Sequence, residues 1–119
     1  MVTIARVAAA IERHGDAFAR KVLGPAEMDD YTGATAPERL LAKRFAAKEA
    51  FAKALGTGIG AAAGWHDIRV IHDAVGRPGF EIGGAAGEST VRLGVNRHHL
   101  SLSDEHHQVV AVAVLEGPG

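Results

Sequence analysis

The amino-acid sequence predicts an α+β domain in which helices come first and an antiparallel sheet follows. Up to Gly60 the apolar residues recur at helical spacing, and beyond it the spacing falls towards two, the period of a strand. The strand-like runs are joined by short turns, with one helix between them, which favours antiparallel pairing. The chain has no internal repeat, low-complexity segment or linker, so residues 1–119 are predicted to form one domain.

Three short helices are predicted before the longest one. Residues 1–13 have apolar side chains at helical spacing, and Gly15 follows them. Asp16 is a suitable N-cap for a second helix that ends at Leu23. Pro25 stops that helix and opens a third, which covers residues 26–31.

The longest predicted helix runs from Pro37 to Leu55, and almost every residue in it is a strong helix former. Proline is tolerated at the first helical position because its missing N–H would have no partner there. Gly56 is expected to end the helix in the left-handed conformation. At about 100° per residue, five side chains form one apolar stripe that should pack on the rest of the domain. The stripe contains Leu40, Leu41, Phe45, Phe51 and Leu55.

Two cations, Arg44 and Lys48, fall within this apolar stripe. Burying a charge is costly unless a partner or a ligand supplies the opposite charge. The two side chains therefore either line a cleft that binds an anion or lie along apolar surface with their charged ends in water. The spacing leaves both interpretations open. Glu49 and Lys53, four residues apart on a flanking face, are first interpreted as a surface salt bridge.

The second half of the chain is predicted to contain two hairpins. Residues 68–72 and 79–82 flank a turn at 73–78. A helix is predicted over 85–93, ended by Gly94. The last hairpin pairs residues 98–103 with 108–115, and the second of these strands is so continuously apolar that we expect both of its faces to be buried.

The strand over 98–103 has one polar face. Leu100 and Leu102 point one way along the strand, whereas His99, Ser101 and Ser103 point the other way. This polar face either lines a ligand cleft or simply meets water. The pattern by itself does not decide between the two.

Two other patterns suggest familiar ligand sites but are disfavoured by their positions. Four histidines lie at the ends of the last hairpin, but neighbours on a strand point to opposite faces, so at most two could easily bind one metal ion. They are His98, His99, His106 and His107. The glycine-rich loop over residues 56–60 follows the C-terminus of a helix, where the helix dipole disfavours a phosphate.

Composition excludes several classes of protein. With 47% hydrophobic and 23% charged residues, the chain is globular rather than disordered. A net charge of −1 argues against a protein whose main task is to coat nucleic acid. The absence of cysteine excludes a disulfide framework and suits a reducing compartment. With no apolar run of transmembrane length and no signal-peptide pattern, we expect a cytoplasmic protein without a membrane partner.

Residues 43–58, KRFAAKEAFAKALGTG, resemble the signature helix of the holo-acyl carrier protein synthases, the bacterial 4′-phosphopantetheinyl transferases. Gly76-Arg77-Pro78 and His99-Leu100-Ser101-Leu102-Ser103 agree with the same family in the same order, so the resemblance covers essentially the whole chain. It implies that family's fold, a homotrimer, and active sites between neighbouring subunits. It also implies transfer of the phosphopantetheine arm of coenzyme A to a serine of apo acyl carrier protein, in fatty acid biosynthesis.

The resemblance also assigns roles to particular residues. Glu49 matches the family's helix carboxylate that binds magnesium, and it is expected to be catalytic together with Lys53. Three basic residues, Arg6, Arg13 and Lys21, are expected to meet the acidic carrier protein and so to raise the encounter rate. Coenzyme A is expected to contact Arg44, Lys48, Gly56, Gly58, Arg77, Pro78, His99 and Ser101.

The chain departs from the family pattern at two places. Asp104 stands where many members have a second histidine after the His-x-Ser motif. Members also open with a strand whose aspartate is the other protein ligand to magnesium, and we expect that strand to be absent from this numbering, because Met1 matches a residue just after it. Either the chain as given begins late or the metal site is weakened. Two other functions therefore stay open: a coenzyme A-binding module without transfer activity, and a domain that only binds a carrier protein.

Overall fold

A computed structural model describes residues 1–118 of the chain, and within them five α-helices precede or interleave with five strands. The predicted α+β order, with helices first and hairpins after, is confirmed. The helices are α1 (Ile4–His14), α2 (Asp16–Val22), α3 (Pro25–Thr32), α4 (Pro37–Leu55) and α5 (Gly84–Arg92). The strands are β1 (Val2–Thr3), β2 (Ile68–His72), β3 (Pro78–Ile82), β4 (Arg97–Asp104) and β5 (Gln108–Glu116).

The strands form two antiparallel sheets. One has the order β1-β5-β4, in which β4 and β5 pair along their whole length, and the other is the β2–β3 hairpin. The helix α4 packs on β5 and also contacts α1 and β2, so it lies between the helical layer and the strands. None of the helices in residues 1–118 is long and apolar enough to cross a membrane.

The start of the chain differs from the sequence-based expectation. A helix was predicted from the first residue, but Val2 and Thr3 form a strand that pairs with Val109 and Gln108 of β5. The N–H of Ile4 donates to the carbonyl of His107 at 2.9 Å, and α1 begins only there. The expectation that no strand stands before α1 is therefore wrong for these two residues, because pairing with β5 outweighs the helical spacing of the side chains.

The junction of α1 and α2 also corrects a prediction. Asp16 was expected to be the N-cap of the second helix, but it is the first helical residue and makes no capping hydrogen bond. The cap is Gly15, which has φ 60° and ends α1 as well, its N–H donating to the carbonyl of Ile11 at 2.6 Å. One left-handed glycine thus joins the two helices.

The central helix α4 has the predicted bounds, and Gly56 ends it with φ 90°. Its apolar stripe is buried as predicted at Leu41, Phe51 and Leu55. Small residues bury a second side of the helix, where Ala46 and Ala47 have almost no exposed surface. Because α4 contributes to both, it joins the two hydrophobic clusters of the domain. The first contains Val7, Val22, Leu23, Tyr31, Leu41 and Val109, and the second contains Phe51, Leu55, Ile68, Val70 and Phe80.

The strand β5 is buried on one face only, which contradicts the prediction that both faces would be covered. Val109 is fully buried, and Ala111, Ala113 and Leu115 pack against the hydrophobic clusters. On the opposite face Val112 is 53% exposed and Val114 is 48% exposed. The helix α4 covers only one side of this antiparallel sheet, so the outer face has no second layer within the described chain.

Candidate functional site

Lys48 lies in a fully buried ion pair. Its side chain is 0% exposed, and Nζ donates to Glu27 Oε1 at 2.6 Å and to the carbonyls of Val22 and Trp65 at 2.7 and 3.0 Å. Burial lowers the pKa of Lys48, an effect that the hydrogen bond and the negative charge of Glu27 partly offset. The ammonium neither reaches water nor lines an open cleft, so both interpretations of this cation are wrong: its partner is a carboxylate of α3.

Arg44 belongs to the same ionic network, which joins α3 to α4. Its guanidinium contacts Glu27 Oε2 at 3.3 Å and Asp30 Oδ2 at 3.4 Å, and its side chain is almost buried. These partners lie at least 14 residues away in sequence, so spacing within α4 could not reveal them. The only signal was the set of three acidic residues on α3, of which Glu27 and Asp30 are the partners.

A basic groove lies between the first half of α4, the turn that joins β2 to β3, and β4. It consists of two adjoining cavities of about 580 and 480 Å³ that share Lys43, His72 and Leu102. The groove brings together three residues that were predicted to bind coenzyme A, namely Arg77, Pro78 and Ser101. Its cationic side chains are Arg39, Lys43, Arg44 and Arg77, and Asp104 is the acidic residue in its lining.

Sequence reasoning missed two of these groove cations, Arg39 and Lys43. Both pair with Asp104, Lys43 at 3.0 Å, and Asp104 ends β4 rather than lying in the turn where it was predicted. Partial burial raises the pKa of Asp104, but hydrogen bonds from Lys43 and Arg39 outweigh this effect and leave the pKa below its ordinary value. The available signal was i, i+4 spacing, which places Arg39 and Lys43 on one side of α4.

Asp73 holds the turn that carries Arg77. Its Oδ1 accepts the N–H groups of Val75 and Arg77 at 3.0 and 2.9 Å, and its Oδ2 accepts Nε of Arg77 at 3.1 Å. These hydrogen bonds lower the pKa of Asp73, and the bond from the backbone N–H of Arg77 has the largest effect. Gly76, at φ 86°, supplies the left-handed residue that the turn needs. The Arg77 side chain is 80% exposed, so its Nη groups can be reached from water.

The strand β4 separates its two histidines, as the alternation of side chains predicts. His99 is exposed, and its Nε2 lies 2.7 Å from Glu116 Oε1. His98 instead faces the core, where its ring meets those of Phe51 and Phe80 at 5.9 Å between centroids. Burial lowers the pKa of His98, and the neighbouring His99 adds to the effect. Ser101 is exposed on the same face as His99, beside Val112 of β5.

Glu49 lines a different cavity, of about 400 Å³, on the other side of α4. Apolar side chains line most of this cavity, including Phe18 and Phe45, and Arg6 is the basic residue in its lining. Glu49 is also paired with Lys53 at 3.7 Å, as predicted for two residues four apart, and Lys53 is 72% exposed. The other two cations predicted to meet a carrier protein, Arg13 and Lys21, are exposed but do not line this cavity.

The predicted site residues therefore fall into separate groups on one chain. No residue that lines the basic groove also lines the cavity of Glu49. Lys43 and Glu49 are six residues apart on α4, which places them about 120° apart around the helix axis. Gly56 and Gly58 lie beyond the far end of α4, where their N–H groups donate to carbonyls of its last turn.

Comparison with known proteins identifies the family of the chain. A family model described as the 4′-phosphopantetheinyl transferase superfamily matches residues 1–113. The chain belongs to the 4′-phosphopantetheinyl transferase superfamily. It is 47% identical to the holo-[acyl-carrier-protein] synthase of Hamiltonella defensa over 117 residues, which are 98% of this chain and 93% of that protein. It is also 47% identical to the synthase of Nitrosomonas europaea, over 98% of this chain and 93% of that protein.

Solved structures of this superfamily have the same fold. The holo-[acyl-carrier-protein] synthase of Neisseria meningitidis matches with a TM-score of 0.91 and 43% identity, over 97% of this chain and 92% of that chain. The synthase of Helicobacter pylori in complex with coenzyme A matches with a TM-score of 0.84 and 26% identity, over 97% of this chain and 95% of that chain. The resemblance stated from the signature helix is confirmed.

A magnesium ion bound to a transferase of this superfamily would need oxygen ligands. In the cavity lined by Phe18 and Phe45, Glu49 is the one acidic residue of the lining. Within residues 1–118, no three acidic, histidine or cysteine side chains converge as a metal site. Magnesium is commonly held by one or two carboxylates together with substrate phosphates and water. Glu49 therefore fits the ion only together with a phosphate-bearing substrate.

Proposed function

We propose that this chain is a holo-acyl carrier protein synthase that acts in the cytoplasm in fatty acid biosynthesis. It transfers the 4′-phosphopantetheine group of coenzyme A to a serine of apo acyl carrier protein and releases adenosine 3′,5′-bisphosphate. The observation that supports this best is the basic groove, which gathers Arg77, Pro78 and Ser101 in a fold that overlaps a synthase in complex with coenzyme A.

The basic groove is the proposed binding surface for the nucleotide part of coenzyme A. Its guanidinium and ammonium groups suit phosphate oxygens, and the exposed Nη groups of Arg77 are held in place through Asp73. Ser101 lines the groove, and His99, two residues before it on the same exposed face of β4, extends the polar surface. We leave Lys48 out of the ligand-binding set because Glu27 and two carbonyls already occupy its ammonium.

Glu49 and Lys53 are the proposed catalytic pair. The serine oxygen forms a bond to the phosphorus of the pantetheine phosphate, and the bond from that phosphorus to the leaving adenosine bisphosphate breaks. The serine proton passes through water to a carboxylate, for which Glu49 is the candidate in its cavity. Lys53, which is largely exposed, can approach the negative charge on the leaving phosphate. Magnesium held by Glu49 would neutralise charge on the pyrophosphate.

We further propose a homotrimer in which neighbouring subunits complete the active site. The groove and Glu49 lie on different sides of α4, so one copy does not bring the nucleotide surface to its own catalytic carboxylate. The outer face of β5 exposes Val112 and Val114 next to Ser101 and His99, and exposed apolar side chains on a sheet suit contact with another subunit.

The proposed surface for the carrier protein is the exposed side of α1 and α2. Arg6 lies at the cavity of Glu49, and Arg13 and Lys21 extend the positive charge away from it. An acidic carrier protein bound there would present its serine to Glu49. Such attraction between surface charges mainly raises the rate of encounter, so KM for the carrier protein should rise with salt.

The second candidate is a module that binds coenzyme A without transferring its arm. It is favoured by one observation, the single carboxylate in the cavity where magnesium is proposed. A magnesium ion with one protein ligand is held more weakly than one with two. The two candidates differ in turnover but not in affinity for coenzyme A.

The experiment is to incubate apo acyl carrier protein with the chain, coenzyme A and magnesium and to measure the intact mass of the carrier. We expect a gain of one phosphopantetheine that is lost with Glu49→Gln or with a chelator. Glu88→Gln is the matched control, because Glu88 is exposed on α5 and lies outside the groove and the cavity of Glu49. Binding of coenzyme A without a mass gain would favour the binding module. The absence of both coenzyme A binding and a mass gain would refute both candidates.

A further inference from the structure

We propose that Asp104 is a counter-anion built into the basic groove, which holds Lys43 until a phosphate of coenzyme A takes its place. The identity of the ligand rests on the proposed function. The role of Asp104 is to lower the affinity of the groove for phosphate, and this role goes beyond the contacts that bind the ligand.

Asp104 uses its two oxygens for two different cations. Oδ1 contacts Nη1 of Arg39, and Oδ2 lies 3.0 Å from Nζ of Lys43. About a third of each side chain is exposed: 31% of Arg39, 39% of Lys43 and 34% of Asp104. The cluster therefore lies at the boundary of protein and water, where a soluble anion can approach it.

The two cations differ in how firmly they are held. Arg39 also donates to the carbonyls of Glu105 and His106 at 2.9 and 3.0 Å, which ties it to the turn between β4 and β5. Lys43 has Asp104 as its single ion-pair partner within residues 1–118. Its ammonium stands on a flexible stem, so Lys43 can exchange partners while Arg39 stays in place.

The position of the cluster connects it to the ligand surface. Lys43 and Asp104 line the same cavity as Arg77, Pro78 and Ser101. A phosphate that reaches Lys43 there also meets the negative charge of Asp104. Like charges a few ångströms apart repel even when water and salt screen them, so Asp104 must weaken phosphate binding in this cavity.

The same repulsion acts on the nucleotide product, which retains phosphates of coenzyme A. A groove with uncompensated cations would hold adenosine 3′,5′-bisphosphate firmly and delay its departure. With Asp104 present, Lys43 returns to the carboxylate when the product leaves. Asp104 is thus a positioning residue that sets ligand affinity and favours product release.

The test measures binding of coenzyme A and of dephospho-coenzyme A by titration calorimetry, with the full chain. Asp104→Asn should bind coenzyme A about three- to tenfold more tightly than the natural chain, because a negative charge near the phosphate is lost. The gain should be smaller for dephospho-coenzyme A, which lacks the monoester phosphate. Lys43→Gln should weaken binding of coenzyme A by at least about threefold, and in that background Asp104→Asn should have less effect.

Glu105→Gln is the matched control, since it removes the same charge at the adjacent residue, whose side chain contacts Ser103 outside the groove. Unchanged or weaker binding of coenzyme A by Asp104→Asn would overturn the proposal. Equal tightening by Glu105→Gln would also overturn it, because the effect would then be general surface charge. If Asp104→Asn does not fold, unchanged affinity of Lys43→Gln refutes the inference. Failure of the natural chain to bind coenzyme A refutes the proposed function as well.

Discussion

The buried pair of Glu27 and Lys48 gives the sharpest test of how this fold is held together. The substitution Glu27→Gln keeps the size of the side chain but removes its charge. Lys48 then has only uncharged acceptors, namely the carbonyls of Val22 and Trp65 and the amide oxygen of the new side chain. Its ammonium has no exposed surface through which water could solvate it.

The expected cost follows from this burial. Removing one partner of a buried ion pair destabilises a protein by about 3–5 kcal/mol, because the remaining charge is left uncompensated. Arg44 adds little to this cost, since it retains Asp30, whose side chain is 60% exposed. Lys48→Met should cost less than Glu27→Gln, because Glu27 would still pair with Arg44.

The assay is urea unfolding followed by the fluorescence of Trp65, the one tryptophan of the chain, whose ring centroid lies 4.9 Å from that of Phe45. All variants are compared at one protein concentration, and Glu88→Gln should stay within about 0.5 kcal/mol of the natural chain, as surface changes do. The double variant Glu27→Met with Lys48→Met should be more stable than Glu27→Gln. A loss below about 1 kcal/mol in Glu27→Gln would refute the assignment of Lys48 to a buried ion pair.

Three further predictions concern other parts of the fold. Asp67 accepts the N–H of Ala86 in the first turn of α5 at 3.2 Å. Asp67→Ala should therefore lower the free energy of unfolding by about 1–2 kcal/mol in the same urea assay, and an unchanged midpoint would contradict this prediction. The folded-state pKa of His98 lies below its ordinary 6.5, so the unfolded chain binds more protons and the stability of the fold should decrease as the pH drops below 6.5. Unfolding midpoints measured across pH 5–8 should show this decrease, and His98→Phe should make it smaller. Val112→Lys should convert the proposed trimer to monomers in light scattering, and a mass unaffected by the change would exclude the outer sheet face from the subunit contact.

Local sequence patterns predicted the elements that depend on near neighbours. The helix α4 begins and ends where its proline, its helix formers and Gly56 indicate, and β2 has its predicted bounds. The separation of His98 from His99 followed from the two-residue period of a strand. These features depend only on the helical and strand periods, which can be followed along the sequence without knowledge of distant contacts.

Two predictions failed because tertiary packing, rather than the local pattern, decided the outcome. Val2 and Thr3 have the side-chain spacing of a helix but pair with the start of β5, more than 100 residues later in the chain. The apolar run of β5 reads as buried on both sides, but only one layer of helix is available to cover it. Both outcomes depend on which segment packs where, and periodicity does not contain that information.

Periodicity and motifs along the chain were enough to predict the fold class, the bounds of α4, and the family, the last through the signature helix and the two motifs that follow it. The partners of the charged side chains, in contrast, became known from the packing of the folded chain. It paired Lys48 with Glu27, and it placed Lys43 and Asp104 in one groove with Arg77. The energy of a charge depends on its burial and on the distance to its partner. Both are set by the packing of elements far apart in the chain.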